Sequence, residues 1–514
     1  MSRVIIASDS PMAADVGAAI ADNGGNAVDA AIAATIVSMC TAPGVIAPGC
    51  SGFITIWSPQ EEPVVIDAYA EVPGRGLPAA KFGQGIREVN FDYGGGMRSL
   101  VGYGSVATPG MFAGLGSAWE QYGNLAWQEI VTPAQQIAEQ GFPLSRVSAD
   151  YLVFTGKSIF GWHPDSYRAI HNTKGNCLQA GELVQIAGLA ESLKLIATEG
   201  YQAFYTGELG AKIAQEIQKN EGLLTATDLA AYQAITRKPI SFSCGDWEIF
   251  TNPAPAIGGA CLAAMLLLLE KNAFSRWDSS AVKTMAQIQQ AVLDYRHQYL
   301  DGATNNLVTK EVARLLQLAG LGEPNNLLQS PSTIHTSAVD SNGLACAITA
   351  SAGYGSGVMI TDTGLWLNNS LGEIELHPHG LEGLSPGTRL ASNMAPTIAR
   401  REDGTVLAIG SPGASRITTA LTQVLFNYIH LGMSLEDAIA FPRLHVEVFE
   451  DLHTMAFETG LPIDAITSLV TRKFEGISMY FGGVQAALWN PNQGLEAVAD
   501  PRRTGKVASG GKLI

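Results

Sequence analysis

At 514 residues, the chain exceeds the roughly 250–300 residues at which a single simple core stops growing. Apolar residues make up 46% of it and charged residues only 15%, a balance that excludes a disordered or fibrous chain. The formal net charge of −16 argues against nucleic acid as a partner, because phosphate binding requires clustered Lys and Arg.

The N-terminal apolar run, residues 4–7, is shorter than the apolar core of a signal peptide. No run of about 18 apolar residues follows, so the sequence predicts no membrane span, and we expect a cytoplasmic protein. The six cysteines form no Cys-x-x-Cys pair and no set of zinc ligands, and we expect them to be small buried residues. The stretch His377-Pro378-His379 is typical of a turn, and no metal or cofactor is predicted.

Helices and strands alternate in the first half of the chain. The pattern predicts a helix over residues 12–22, stopped by Gly24-Gly25, and a second over 27–39 that Asn26 caps. It then predicts strands over 53–57 and 64–68, a helix after Thr108-Pro109-Gly110, a mainly helical stretch over 127–233 with starts near Thr132 and Thr225, a strand over 240–249, and helices over 260–270 and 281–299.

Residues 318–332 are rich in Gly, Pro, Asn and Ser, which indicates an exposed linker. Strands near 336–340 and 344–350 follow, joined by a hairpin turn at Ser341-Asn342-Gly343. Later elements are strands near 365–368, 397–400 and 406–409, a helix over 415–430, a short helix that Ser434 begins, and several final strands. This order fits an α/β or an α+β fold with two sheets.

The linker ends at Ser332-Thr333-Ile334-His335. A threonine hydroxyl is a poor nucleophile unless a base lies within hydrogen-bond reach, and its own free α-amine can be that base. Such an amine has a reference pKa of about 7.7–8.0, which suits proton transfer near neutral pH. Thr333 would gain a free amine only if the chain were cut before it.

Five motifs lie in one order along the chain. They are Gly24-Gly25-Asn26-Ala27-Val28-Asp29-Ala30-Ala31, Thr333-Ile334-His335, Gly364-Leu365-Trp366-Leu367-Asn368-Asn369, Ser392-Asn393-Met394-Ala395-Pro396-Thr397 and Gly410-Ser411-Pro412-Gly413. In this order the chain resembles the γ-glutamyltranspeptidase family of N-terminal-nucleophile hydrolases. The resemblance implies an α+β fold, a four-layer αββα sandwich.

The resemblance also implies self-cleavage, in which Thr333 Oγ attacks the Ser332 carbonyl and the resulting ester is hydrolysed. Residues 1–332 and 333–514 would then form two associated pieces of one αββα unit. Ser351 matches the family residue that holds the amine of the nucleophile. His335 matches a family histidine, for which we expect packing and no proton transfer.

Further site residues follow from the same resemblance. Gly413 and Ala414 match the glycine pair whose backbone N–H groups form the oxyanion hole, and their place before a helix supports that role independently. Ser392 and Asn393 match the serine pair that binds the substrate carboxylate. Glu373 matches the aspartate that binds the substrate α-amino group.

Three departures from the family concern the substrate pocket. Alanine stands at Ala70, where the family has an arginine that grips the glutamyl α-carboxylate; Arg75, Arg98 and Arg389 are candidate replacements. Gly353 stands where the family has an asparagine. Residues 374–391 are fewer than in the usual lid segment, which predicts a more open cleft.

The sequence therefore predicts a γ-glutamyltranspeptidase-like amide hydrolase or acyltransferase acting through a Thr333 acyl ester. Its partners would be a small-molecule amide and a water or amine acceptor, and a homodimer stays open. One alternative is an acylase that cleaves a non-glutamyl amide. The other is an uncut, non-catalytic homologue that binds a small molecule.

Overall fold

The structure, a computed structural model, describes residues 2–91, 96–301, 303, 305–321, 333–374, 376, 380–381, 384–449, 452–463 and 469–511. Across these ranges no helix combines the length and the apolar character that a membrane crossing needs. The predicted linker beyond residue 321, Ser332, and the histidines at 377 and 379 lie outside the described residues.

The first sheet is antiparallel and has seven strands. In spatial order they are β22 (Lys506–Gly510), β1 (Val4–Ser8), β11 (Ile334–Asp340), β12 (Ala345–Ser351), β2 (Ser51–Trp57), β3 (Val64–Ala68) and β8 (Ile235–Arg237). Strands from before and after Thr333 are interleaved in this order, since β1 lies between β22 and β11, and β12 pairs with β2. A cut before Thr333 would therefore leave both pieces hydrogen-bonded in one sheet.

The second sheet is also antiparallel and has six strands. In spatial order they are β21 (Gly494–Ala499), β20 (Gln485–Asn490), β16 (Val406–Gly410), β15 (Thr397–Arg401), β10 (Trp247–Thr251) and β9 (Ile240–Cys244). Smaller sheets pair β4 (Arg87–Phe91) with β5 (Met97–Val101), β6 (Phe142–Pro143) with β7 (Leu183–Val184), β13 (Met359–Ile360) with β14 (Leu365–Trp366), and β18 (Leu452–Glu458) with both β17 (Leu444–Phe449) and β19 (Val470–Phe474).

The helices fall into two groups. Those before β9 are α1 (Pro11–Asp22), α2 (Ala27–Thr41), α3 (Met111–Tyr122), α4 (Trp127–Gln140), α5 (Arg146–Thr155), α6 (Pro164–Ile170), α7 (Leu189–Glu199), α8 (Gly207–Lys219) and α9 (Ala226–Ala231). Those after β10 are α10 (Gly258–Lys271), α11 (Ser279–Tyr299), α12 (Asn305–Leu321), α13 (Arg416–Ile429) and α14 (Leu435–Ala440).

Three buried apolar clusters define the layers. Ile348 of β12 points into the cluster shared with α1 and α2, while its neighbour Ala347 points into a cluster between the sheets with Ala408 of β16. The third cluster joins the far face of the second sheet to α10, α11 and α13. Successive side chains of a strand face opposite ways, so each sheet has one helix-covered face and one face against the other sheet. The predicted αββα sandwich is confirmed.

Local capping confirms several predicted boundaries. Asn26 Oδ1 accepts from the N–H groups of Val28 (2.9 Å) and Asp29 (3.0 Å), and the Asp29 carboxylate accepts from the Asn26 N–H (2.9 Å). Thr225 and Ser434 begin α9 and α14 in the same manner. Such caps satisfy N–H groups that the first helical turn cannot.

Three predictions of local structure need correction. The strand predicted over 240–249 is a hairpin, β9 and β10, because Gly245 turns the chain with φ +56°. Helix α4 begins at Trp127, before Thr132, because the Glu129 carboxylate accepts from the Ala126 N–H. Residues 318–321, predicted as the start of the linker, belong to α12. The apolar run over 4–7 forms part of β1, an inner strand of the first sheet.

The hairpin turn between β11 and β12 is confirmed, with the Gly343 N–H bonded to the Asp340 carbonyl (3.0 Å). All six cysteines are free thiols. Cys177 is half-buried and the others are buried, which confirms the expectation for most of them.

Candidate active site

Thr333 directly precedes β11 at the edge of the gap between the two sheets. Ile334 pairs with Ala350 in the β11–β12 register, so the next position of that antiparallel register sets Thr333 opposite Ser351. Thr333 is 2% exposed, and its hydroxyl makes no hydrogen bond to any residue that the structure describes. Ser351 Oγ accepts from the Gly353 N–H (3.1 Å). The predicted nucleophile and the predicted holder of its amine are thus brought together.

His335 is fully buried between the sheets. Its Nδ1 lies 2.8 Å from Thr349 Oγ1 and its Nε2 lies 2.8 Å from Ser337 Oγ. Burial lowers the pKa of His335 to about 3, so the ring is neutral at physiological pH. Gly410 makes room for it, because a Cβ there would lie 2.2 Å from the ring. His335 therefore packs the start of β11 against the end of β16.

The chain leaves β16 at Gly410 and turns through Gly413 and Ala414 into α13. Gly413 has φ +123°, and a Cβ there would lie 2.9 Å from Gly482 Cα, so glycine is required. Ala414 has φ +65°, an uncommon conformation for a residue with a Cβ. The carbonyls of both residues accept from the first N–H groups of α13. Their own N–H groups have no acceptor among the described residues.

This turn has the features of an anion site. Two unused backbone N–H groups stand at the N-terminus of a 14-residue helix, where the helix dipole also favours negative charge. His335 packs the start of β11, two residues after Thr333, onto the strand that leads into the turn. The arrangement can stabilise an oxyanion that forms when Thr333 attacks a carbonyl.

Glu373 is 2% exposed, and its carboxylate lies against the backbone just after Ser351. A Cβ at Gly353 would lie 2.5 Å from Glu373 Oε1 and 2.2 Å from Asn369 Oδ1. Gly353 also has φ +63°. Glu373 and Asn369 therefore occupy the space in which a side chain at position 353 would lie, which accounts for glycine at this position.

Tyr69 connects this carboxylate to the loop before β15. Burial and then the charge of Glu373 raise the pKa of Tyr69 well above its usual range. The side chains of Ser392 and Ser370 lie close enough to Tyr69 to oppose part of this rise in its pKa. Sequence reasoning missed Tyr69 as a site residue, although it directly precedes the anomalous Ala70.

Ser392 and Asn393 lie against the N-terminus of α10. The Ser392 carbonyl accepts from the N–H groups of Ile257 (2.9 Å) and Gly258 (3.1 Å). Gly258 allows the close approach, because a Cβ there would lie 2.1 Å from the Asn393 carbonyl oxygen. Asn393 Oδ1 is buried and finds no hydrogen-bond donor in the described part of the chain. A bound ligand could supply that donor.

The candidate arginines all have carboxylate partners. Arg389 bonds Glu71 (2.6 Å), lies 3.3 Å from Asp67 and covers the Tyr232 ring at 4.5 Å. Arg389 lies beside Ala70, because the N–H of the next residue, Leu390, donates to the Ala70 carbonyl (3.0 Å).

The other two arginines are also engaged. Arg75 pairs with Glu71 (3.0 Å) and Asp228 (3.3 Å). Arg98 pairs with Glu88 (2.7 Å) in the exposed β4–β5 hairpin. Each candidate guanidinium is held in an ion pair rather than offered unpaired beside Glu373.

The whole chain matches one protein family. The Gamma-glutamyltranspeptidase family model covers residues 13–510, and the chain belongs to that family. It is accordingly an enzyme of the N-terminal-nucleophile hydrolase class, an amide hydrolase and acyltransferase, as the sequence predicted.

Two curated relatives and one solved structure illustrate the likeness. The glutathione hydrolase proenzyme of Escherichia coli K12 is 30% identical, with 98% of this chain and 91% of that protein aligned. The acylase ACY 1 proenzyme of Pseudomonas sp. SE83 is 28% identical, with 98% and 93% aligned. The crystal structure of a cephalosporin acylase from Bacillus halodurans superposes with a TM-score of 0.79 at 22% identity, covering 99% and 96%, which shows the fold. The relatives' proenzyme names agree with an enzyme that matures by cleavage.

Proposed function

We propose that this enzyme cuts itself before Thr333 and then transfers acyl groups from amides that carry a free amine but need no adjacent carboxylate. The observation that carries the proposal is the buried Glu373 carboxylate beside Gly353, in a region where Arg75, Arg98 and Arg389 are already paired. A buried carboxylate favours an ammonium partner.

Maturation uses the same oxygen as catalysis. Thr333 Oγ attacks the Ser332 carbonyl carbon, the C–N bond breaks, and the acyl group moves from nitrogen to oxygen. Water then hydrolyses the ester, which leaves a carboxylate on Ser332 and a free α-amine on Thr333. Thr333 is buried in the uncut chain, so a substrate can reach it only after a rearrangement.

In turnover the α-amine takes the proton from Thr333 Oγ as the oxygen attacks the substrate amide. Ser351, opposite Thr333 in the sheet, holds that amine. The unused N–H groups of Gly413 and Ala414 receive the oxyanion of the tetrahedral intermediate. The resulting ammonium returns its proton to the departing amine, and an acyl ester remains. Water or a second amine then attacks the ester.

On the acyl side, Glu373 receives the substrate ammonium, and Tyr69 and Ser392 lie beside it. Asn393 Oδ1, buried and without a partner among the described residues, accepts a substrate N–H. Residue 70 contributes no cation. The pocket is therefore complementary to an amine-bearing acyl chain whose carboxylate is absent or masked.

A second candidate is an acylase for an acyl chain that lacks the amine. Two observations favour it: Ala70 in place of arginine, and the 28% identity to the acylase ACY 1 proenzyme along nearly the full chain. In that case Glu373 would be structural and its charge would not affect substrate choice.

A panel of p-nitroanilides separates the two. We would compare kcat/KM for γ-glutamyl-p-nitroanilide, its α-amide and glutaryl-p-nitroanilide, which lacks the amine. The proposal expects the first two to agree within about tenfold and the third to be much poorer, because a charge-assisted pair is worth about 1.5–3 kcal/mol. A preference for the glutaryl donor would establish the acylase instead. A large preference for the free carboxylate would mean that another cation grips it.

A further inference from the structure

The far ends of α10 and α13 carry a cluster unrelated to the proposed reaction. Cys244 ends β9, Glu270 lies in the last turn of α10, and His430 directly follows α13. One ligand atom from each lies within 4.8 Å of both others. Cys244 and His430 are 186 residues apart in the chain, so only the fold brings them together.

The distances within this cluster match a metal coordination sphere. His430 Nε2 lies 3.4 Å from Cys244 Sγ and 3.4 Å from Glu270 Oε1. In a tetrahedral zinc site, the usual bond lengths place neighbouring ligand atoms roughly 3.3–3.6 Å apart. Both contacts converge on one nitrogen, which faces a thiol and a carboxylate together.

The surroundings hold the three side chains in place. The Glu270 carboxylate accepts from the Gly245 N–H (2.5 Å), which fixes it to the β9–β10 turn. The His430 ring lies against the Phe426 ring at 5.0 Å. Among the described residues, Glu270 has no ion-pair partner except His430. A thiolate and a carboxylate together would carry two negative charges, which one divalent cation balances.

Solvent reaches the cluster of Cys244, Glu270 and His430. A surface recess of about 790 Å³ is lined by residues of the β9–β10 turn, including Gly245, and by Arg401 and its neighbours at the end of β15. None of its lining residues belongs to the active site. The side chains of Glu270 and His430 are themselves 31% and 16% exposed, so a hydrated ion can reach them from solvent.

We propose that Cys244, Glu270 and His430 bind one zinc-class divalent ion, with water completing a tetrahedral site. Thiolate and imidazole ligands suit zinc or cobalt and do not suit magnesium or calcium. Because α10 and α13 begin at the active site and are each 14 residues long, the ion lies about 20 Å from the chemistry. Its role is to clamp the β9–β10 hairpin to the ends of the two helices.

The test is cobalt binding to the full-length protein after treatment with a chelator. We expect one Co²⁺ per chain, with the near-ultraviolet thiolate-to-cobalt charge-transfer band and the visible bands of a tetrahedral ion. Zinc should displace the cobalt and raise the melting temperature. Because a thiol must lose its proton to bind the ion, uptake should release a proton and strengthen with rising pH.

Three variants decide the assignment. Cys244→Ser should abolish the charge-transfer band, whereas Cys177→Ser, which removes the half-buried thiol elsewhere, should keep it. His430→Asn should weaken cobalt binding by at least about tenfold, and it serves as the second variant if Cys244→Ser does not fold. A chelator-treated wild type that takes up no Co²⁺ would overturn the proposal. So would a charge-transfer band that survives in folded Cys244→Ser, or unchanged affinity in His430→Asn.

Discussion

The reacting end of the site and its substrate-recognition end are built differently. Thr333, Ser351 and Gly410 lie at the ends of strands that are paired on both sides within the two central sheets. Glu373, Ser392 and Asn393 lie on irregular segments between strands. The expected departures from the family at residues 70 and 353 fall on such segments.

The difference has a physical cause. A strand end inside a sheet has its direction set by neighbours on both sides, and a shift in register would turn every side chain to the wrong face. Loops carry no such constraint, so their side chains can change without loss of the scaffold. We therefore expect the sheets to fix the chemistry of this enzyme and the loops to set its choice of acyl group.

The largest expected effect comes from the strand side. Thr333→Ala should abolish self-cleavage and lower kcat by at least about 10³-fold, because it removes the attacking oxygen. A denaturing gel should show one band for this variant and pieces of 332 and 182 residues for the wild type. The smaller piece should begin Thr-Ile-His on N-terminal sequencing.

Thr333→Ser is the matched control for that experiment. It retains a hydroxyl and should still cleave the chain. Its rate of cleavage depends on how the methyl group of Thr333 packs. A wild type that is active as one stable band would contradict the proposed nucleophile.

The turn into α13 gives the next largest effect. Gly413→Ala should lower kcat by about 10²-fold, because the new Cβ at 2.9 Å from Gly482 Cα must displace the oxyanion N–H groups. Gly413→Pro is a less specific test, since the observed φ of +123° is closed to proline.

The control is the opposite exchange, from alanine to glycine, at the neighbouring residue, Ala414. Ala414→Gly keeps the N–H and relieves the left-handed φ, so kcat should stay within about threefold and stability should rise by about 0.5–1 kcal/mol. Equal loss of kcat in Gly413→Ala and Ala414→Gly would mean that the oxyanion is held elsewhere.

The buried His335 predicts how acid affects the strand side. Its folded pKa of about 3 lies below the unfolded value of about 6.5, so between these values the unfolded chain binds more protons. Stability should therefore fall as pH drops below 6.5, by about 2–3 kcal/mol from His335 at pH 4.5. Asp9, whose pKa burial raises to about 6, has the opposite slope.

Denaturant unfolding at pH 7 and pH 4.5 would isolate the His335 contribution. His335→Gln should remove that share of the pH dependence while leaving the contribution of Asp9 in place. Identical pH dependence in the variant and the wild type would show that His335 takes up no proton on unfolding.

The sequence predicted the strand side well because its signals are local. The hairpin turn after β11 and the cap at Asn26 are read from neighbouring residues. It could not predict the partners of Arg389 or the position of Tyr69, because these depend on segments far apart in the chain. The sequence could not predict the cluster of Cys244 and His430 for the same reason. The missed β9–β10 turn was the exception, since Gly245-Asp246 is a local turn signal within an otherwise strand-like run.

The smallest effect is expected on the loop side, at Glu373. Glu373→Gln should lower kcat/KM for γ-glutamyl-p-nitroanilide and for its α-amide by about tenfold each, because both lose the charge-assisted bond to the ammonium. The rate on glutaryl-p-nitroanilide, which has no ammonium, should change little. Tyr69→Phe, which keeps the carboxylate and removes only the neighbouring hydroxyl, is the matched control and should raise KM by only a few-fold. If Glu373→Gln slows all three donors equally, Glu373 supports the backbone at Gly353 rather than the substrate, and the loop side would then be as structural as the strand side.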